Sequence, residues 1–298
     1  MAINHYTPPP VTQELLNYAD LPIIDLSKSP RPDDVRDTMQ THGFFYVVGH
    51  GLSPDEYEGT MQRTRSYQGY KLRKYWHIDN GVQDEVELYN INRDIMKRQH
   101  PEAIRPYLAE IEVFAQHNHL NVLHPILRLL ALGLGLPEDT LVNIHGYSSV
   151  GDTYVRFMKY YPHSPEDEEN TQGVWLKGHT DCGSITILYS QPVSALQILT
   201  PLGEWKWVRH IENALVINAG DALKFLSGGV YRAMIHRVVQ PPKDQRGHTC
   251  LGMFYFCMPD DNVKLLPLVD AKECRFVDAD APTMEEWHKG RTAAYGKS

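Results

Sequence analysis

From residue 154 onward, apolar and polar positions alternate. The runs "YVRFMKYYP", "SITILYSQ", "LQIL", "WKWVRH", "ALVINAGDALKFLSGG", "YRAMIHRVVQPP" and "LGMFYFCMP" follow a period of two, and turns containing Gly, Pro or Asp separate several of them. Many short strands at near-regular spacing predict a sandwich or barrel. The first half has another rhythm. "LPIIDLS" reads as a short strand, and "SPRPDDVRDTMQTHG" as a helix with Pro and Asp at its start and Gly43 at its end. "GFFYVVGHGLS" reads as a strand with a Gly turn, after which Ser53 caps a second helix through "SPDEYEGTMQRTRSYQ". Over residues 106–136, apolar positions recur at helical spacing up to "LGLGLP", predicting a long helix packed on a sheet. The expected organisation is one domain over 1–298: a mostly helical layer (about 1–150), a β core (about 151–260) and a C-terminal segment (about 261–298).

Composition narrows the class. With 298 residues and 42% hydrophobic content the chain can bury a large core. Its net charge of −8 is scattered, with no dense Lys/Arg block, which argues against a nucleic-acid partner. No apolar run approaches the roughly 20 residues needed to span a bilayer. The first residues lack the basic start and apolar core of a secretory signal. Cysteines 182, 250, 257 and 274 form no C-x-x-C pair, so a reduced, cytoplasmic protein is expected.

The candidate chemistry lies in "KGHTDCGSITIL". His179 and Asp181 stand one residue apart ahead of an alternating run, and on an extended strand both point to one face. They could cap a turn, pair with a base or hold a metal. H-x-D alone is weak evidence, because 15 His and 20 Asp give about one such pair by chance. A second, His77-Ile-Asp79, precedes an Asn-Gly turn and reads as a solvated or turn-capping pair. His236, in "AMIHRVV", lies 55 residues after Asp181 and enters another apolar strand from a turn. A lone histidine there would be a buried core residue. Two imidazoles and one carboxylate, however, are the ligands of a facial triad, which holds non-haem Fe(II) and leaves coordination positions open. Zinc hydrolysis would use the same set, but no glutamate base is evident nearby.

Three ordered blocks resemble a known family. "LPIIDLS" with "HGFFYVVGHGLS", "MKYYPHSP" through "GHTDCGSITILYS", and "INAGDALKFLSGGVYRAMIHRVVQPP" are similar to the Fe(II)- and 2-oxoglutarate-dependent oxygenases of the isopenicillin N synthase-like type. The resemblance implies a mainly β fold with flanking helices around a double-stranded β-helix (jelly-roll) core, with the metal at the barrel's open end. It implies His179, Asp181 and His236 as iron ligands, and 2-oxoglutarate and O2 as cosubstrates with ascorbate as an in-vitro reductant. The implied reaction is oxidation of a C–H bond in a small, apolar or aromatic metabolite, with release of succinate and CO2. The expected partner is that small molecule, with no nucleic acid and no membrane.

The pattern departs from the family where the far carboxylate of 2-oxoglutarate needs a cation. Counting forward from His236 reaches Arg246, whereas counting back from "LGMFYF" puts Cys250 and Gly252 in the family's R-x-S positions. Arg246 is the expected anchor, since a buried dicarboxylate without a cation would be costly. The resemblance adds Tyr161 as a cosubstrate contact and Lys159 in place of the usual asparagine. Arg237 should alternate to the opposite face, and Gly220 and Asp221 read as turn chemistry. Phe254, Phe256 and Tyr231 are candidate substrate-lining residues, with Tyr154 and Trp175 as similar cases. A cyclase-type oxidase using no 2-oxoglutarate, and a non-catalytic ligand-binding relative, stay open as alternatives.

Overall fold

A computed structural model of the chain describes residues 8–52, 69–270, 275–276 and 280–294. Its strands are β1 Ile23–Asp25, β2 Phe44–Val48, β3 Gly69–Lys71, β4 Val86–Asn92, β5 Tyr154–Tyr160, β6 Val174–His179, β7 Ile185–Tyr189, β8 Leu196–Leu199, β9 Trp205–Trp207, β10 Leu215–Ala219, β11 His236–Val239 and β12 Cys250–Cys257. They form an eight-stranded sheet in the order β1-β2-β10-β7-β12-β5-β4-β3 and a four-stranded sheet in the order β6-β11-β8-β9. Pairing is antiparallel except between β1 and β2. This is a jelly roll with flanking helices.

The period-two pattern splits the larger sheet into two faces. Ile187 of β7, Leu215 and Ile217 of β10, Tyr255 of β12 and Val155 of β5 join the main core. Their neighbours Thr186, Leu188, Val216, Asn218, Phe254, Phe256, Tyr154 and Arg156 line a cavity between the sheets. Against the core face lies a helical rod: α2 Leu108–His117, a π-helical stretch Asn118–Leu123, and α3 His124–Gly133. Its stripe of Ile111, Phe114, Val122, Leu123, Ile126, Leu127 and Leu130 is buried in that core, as the spacing over 106–136 predicts. The π stretch has a local cause. Pro125 has no N–H to give a carbonyl one turn back, so the ladder slips and His124 N–H bonds His119 O instead.

The first 150 residues are less helical than expected. α1 Pro32–Thr41, β1 and β2 form as predicted, but this half also supplies β3 and β4 of the larger sheet. β4 was not evident in sequence because nearly all of its residues are buried, so the strand shows no polar face. The helix expected from Ser53 lies outside the described residues. Within "ALVINAGDALKFLSGG" only the first half is strand; a short helix, α5 Asp221–Leu226, follows. Two further helices are α4 Pro165–Asn170 and α6 Met284–Ala294. Among the described residues no helix is long and apolar enough to cross a membrane.

Candidate active site

β6 ends at His179 and β11 begins at His236, and the two are paired across the smaller sheet. Their ring centroids lie 4.4 Å apart. Asp181 follows two residues beyond His179, with Oδ1 3.9 Å from His179 Nε2 and 3.8 Å from His236 Nε2. One ligand atom from each lies within 4.8 Å of the other two, close enough for a single ion to bridge.

Neighbouring groups aim these atoms. His179 Nδ1 is 2.9 Å from Lys177 O, and His236 Nδ1 is 3.2 Å from Met234 O. A ring donating from Nδ1 to a carbonyl keeps Nε2 as the free base, which is the atom turned to the shared point. Thr186 Oγ1 and Asn218 Nδ2 donate to Asp181 Oδ2 at 2.6 and 2.8 Å, which turns Oδ1 toward the imidazoles. Burial first, then the adjacent His236, pushes the His179 imidazole down to about 4. Burial alone would raise the Asp181 carboxyl, but His236, His179 and the two donors outweigh it and hold it below its ordinary range. At neutral pH the site therefore offers a neutral His179 imidazole and a carboxylate, the forms that bind a divalent cation.

The loop carrying Asp181 is clamped to the turn after β10. Asp221 N–H donates to Asp181 O at 2.7 Å and Gly220 N–H to Ser184 O at 2.9 Å. A Cβ at Gly220 would stand 2.3 Å from Gly183 O, so only glycine allows this approach. Gly220 and Asp221 thus position the ligand loop and are not themselves ligands.

A sequence profile of the 2OG-Fe(II) oxygenase superfamily matches residues 153–267, the segment that contains all three of these side chains. That segment matches the 2OG-Fe(II) oxygenase superfamily. Among curated relatives of this oxygenase, Jasmonate-induced oxygenase 3 of Arabidopsis thaliana is 26% identical across 93% of the chain and 80% of the relative. Gibberellin 2-beta-dioxygenase 2 of the same plant is 27% identical across 97% and 87%. Among solved structures, full-length Neurospora crassa T7H in complex with alpha-KG superposes with a TM-score of 0.76 at 22% identity, across 95% of this chain and all (100%) of that one.

The oxygenase places its other candidate residues unevenly. Phe254 and Phe256 line the cavity, with Phe256 stacked between Phe254 at 5.4 Å and Tyr154 at 5.0 Å. Tyr231 does not: it is fully buried under α3 and donates its hydroxyl to Leu130 O at 2.7 Å. Trp175 is buried against His163. Arg237 lies over the Trp205 ring and donates to Gln197, a structural role. The His77/Asp79 pair sits at a turn, where Asp79 meets Lys177 at 3.3 Å.

The expected 2-oxoglutarate contacts need correction. β5 runs without a bulge, so Tyr154, Arg156, Met158 and Tyr160 face the cavity while Lys159 and Tyr161 face away. Tyr161 donates its hydroxyl to Glu87 of β4, and Lys159 lies over the Tyr161 ring. Arg246 is exposed beyond a 3-10 turn at Lys243–Gln245. That turn is pinned because the buried Gln245 side chain bonds Pro10 O, Pro192 O and Ser194 N, so the connection is longer than a forward count assumes. Cys250 is therefore the cavity residue at the arginine's place. Burial pushes its thiol up to about 12, which leaves it uncharged.

Sequence reasoning missed Thr186, Asn218 and Arg156. Alternation from Tyr154 would have found the last. It puts an arginine on the same face as two tyrosines and a methionine, a costly placement if that face is buried.

Proposed function

We propose that this oxygenase holds Fe(II) through His179, Asp181 and His236, takes 2-oxoglutarate and O2, and oxidises a C–H bond of a small apolar or aromatic molecule with release of succinate and CO2. The observation that carries this reading is the convergence of two imidazoles and one carboxylate, each aimed by a neighbour, in one cavity. The donor set fits the metal: two imidazole nitrogens and one carboxylate oxygen, on side chains that line the cavity. Bound iron would supply the O2 chemistry that no side chain can perform.

The remaining work belongs to the chain's own residues. Thr186 and Asn218 keep Asp181 turned toward the metal position. The cavity walls, mostly apolar and including Phe44, Leu188, Phe254 and Phe256, exclude water and hold a substrate against the metal. Tyr154, Phe256 and Phe254 make a stack of near-parallel rings that suits a flat or apolar substrate. Hydroxylation, desaturation, and ring closure or expansion are all outcomes open to such a site. The relatives' names, an oxygenase and a dioxygenase, support the same reaction class.

The test is anaerobic addition of Fe(II) and 2-oxoglutarate, which should produce a visible metal-to-ligand absorption band; a protein that binds both without the band, or neither, refutes the reading. One second reading has an observation behind it. The uncharged thiol at Cys250 favours an oxidase that draws its electrons from the substrate. Product formed without succinate would establish that oxidase instead.

A further inference from the structure

The position that usually carries the cosubstrate's cation holds Cys250, whose surroundings are mostly apolar apart from Gln191, which donates to its sulfur at 3.2 Å. Met158, Tyr160, Val193, Ala195 and Val238 pack with it in one cluster. A Cβ at Gly252 would stand 2.4 Å from the Phe254 ring, so a serine there would require that ring to shift. Lys71, over the Trp76 ring of that cluster, is already paired with Asp84 at 2.6 Å, and a buried carboxylate without a charge partner of its own is strongly disfavoured.

Three cations line the cavity among the described residues: Arg156, Arg209 and Arg291. Arg209 is exposed and lies over the Tyr18 ring. Arg291 is 37% exposed and is held by Asp221 and the Thr180 carbonyl. Arg156 alone of the three is buried, at 8% exposure. Its Nε donates to Asn90 Oδ1 at 2.8 Å and one terminal nitrogen to the Tyr154 hydroxyl at 3.3 Å. Its guanidinium lies over the Phe256 ring at 4.7 Å. A planar cation stacked on an aromatic face and steered by an amide is already ordered for a bidentate anion.

The sheet register locates it relative to the metal. Thr186, which bonds Asp181, pairs with Phe256, and Phe256 pairs with Tyr154. Arg156 is therefore one same-face step, about 7 Å of strand, from the level of the ligands. The Cys250–Tyr160 pair is two steps further, about 13 Å beyond Arg156.

Building on the function proposed above, we propose that Arg156 receives the distal carboxylate of 2-oxoglutarate, in place of a cation at Cys250. The cosubstrate then lies across the barrel toward β5 and not down its axis, and the apolar end around Cys250 has no charge to neutralise.

The experiment compares two 2-oxo acids on the full chain loaded anaerobically with Fe(II), read by calorimetry and by the visible band. 2-Oxoglutarate and 2-oxopentanoate share the chelating head, but the second carries a methyl where the first has its distal carboxylate. The unaltered protein should prefer 2-oxoglutarate by roughly 10- to 100-fold, the span of a charge-assisted hydrogen-bonded pair. Arg156→Gln should bind 2-oxopentanoate as before and lose most of that preference, while Cys250→Ala should keep it. Arg156→Lys, which retains charge but not the fork, should keep part of it, and it serves as the deciding variant if Arg156→Gln does not fold. Undiminished preference in Arg156→Gln, or in Arg156→Lys where that variant decides, overturns the proposal. If the unaltered protein binds neither acid, the oxygenase reading itself falls, an outcome distinct from a lost or retained preference.

Discussion

Asn218 is not one of the three proposed ligands, yet its replacement by alanine should weaken metal binding. Asp181 is buried and accepts two hydrogen bonds on Oδ2, from Thr186 at 2.6 Å and from Asn218 at 2.8 Å. Both come from strands of the larger sheet, so the carboxylate plane is set by the barrel wall and Oδ1 faces the two imidazoles. Without the amide, the carboxylate keeps one donor and can turn about its last bond, and its proton affinity rises because one of the groups lowering it is gone. A hydrogen bond to a charged group contributes about 1.5–3 kcal/mol, and loss of an outer-shell partner typically costs 10- to 100-fold in metal affinity. The two figures agree: about 1.4–2.7 kcal/mol corresponds to the same 10- to 100-fold range. Mn(II), which is redox-inert under these conditions, can be titrated into Asn218→Ala and the unaltered protein and free ion counted by paramagnetic resonance. Thr186→Val should behave similarly, and the double variant should lose less than the sum, because both donors serve one oxygen. An Asn218→Ala protein that melts normally and binds Mn(II) within two-fold of the unaltered one would show that the wall does not position the carboxylate.

Three further outcomes are expected. His179→Ala and His236→Ala should each abolish Fe(II) binding and turnover together, measured by metal analysis and succinate release; retained iron at full occupancy in either would remove that histidine from the ligand set. Leu127→Ala in α3, fully buried against the sheet, should lower stability by about 2–5 kcal/mol in denaturant unfolding while leaving metal affinity unchanged; an effect below about 1 kcal/mol would mean the rod is not part of the main core. Burial pushes the imidazoles of His119 and His145 down to about 3 and about 4 from the ordinary 6.5, so as pH falls below 6.5 the unfolded chain takes up protons that the folded one refuses. Stability should therefore decline between pH 6.5 and about 4, by about 2 kcal/mol for each histidine at pH 5. His145→Gln should flatten that decline in urea titrations at pH 7 and 5, and an unchanged slope refutes the assignment.

Sequence and structure agree on the jelly roll and diverge mainly where a face or a loop length had to be guessed. Strands β5, β7, β10 and β12 were legible because one face joins the main core and the other lines a mixed cavity, which prints a period of two. β4 escaped because a strand buried on both faces prints no alternation. The convergence of His179, Asp181 and His236 was legible for a different reason. His179 and Asp181 come from one short segment, and His236 sits at a strand start, so their meeting survives an error of a residue or two in a loop.

The cosubstrate residues had no such protection, and the reasons are physical. A one-residue slip in "MKYYP" moves every side chain to the opposite face. That is how Lys159 and Tyr161 came to be expected in the cavity while Tyr160 and Arg156 occupy it. The Arg246 expectation failed through loop length, because Gln245 is bonded to Pro10, Pro192 and Ser194 and lengthens the path from β11 to β12. A dicarboxylate in a buried site still needs a cation. The requirement is met by asking which arginine shares a face with the cavity walls, and parity along β5 answers it at Arg156 without any count through a loop. A fixed strand period is thus a better guide to the anchor than spacing from the distal histidine, and a 2-oxo acid preference that follows Arg156 would bear that out.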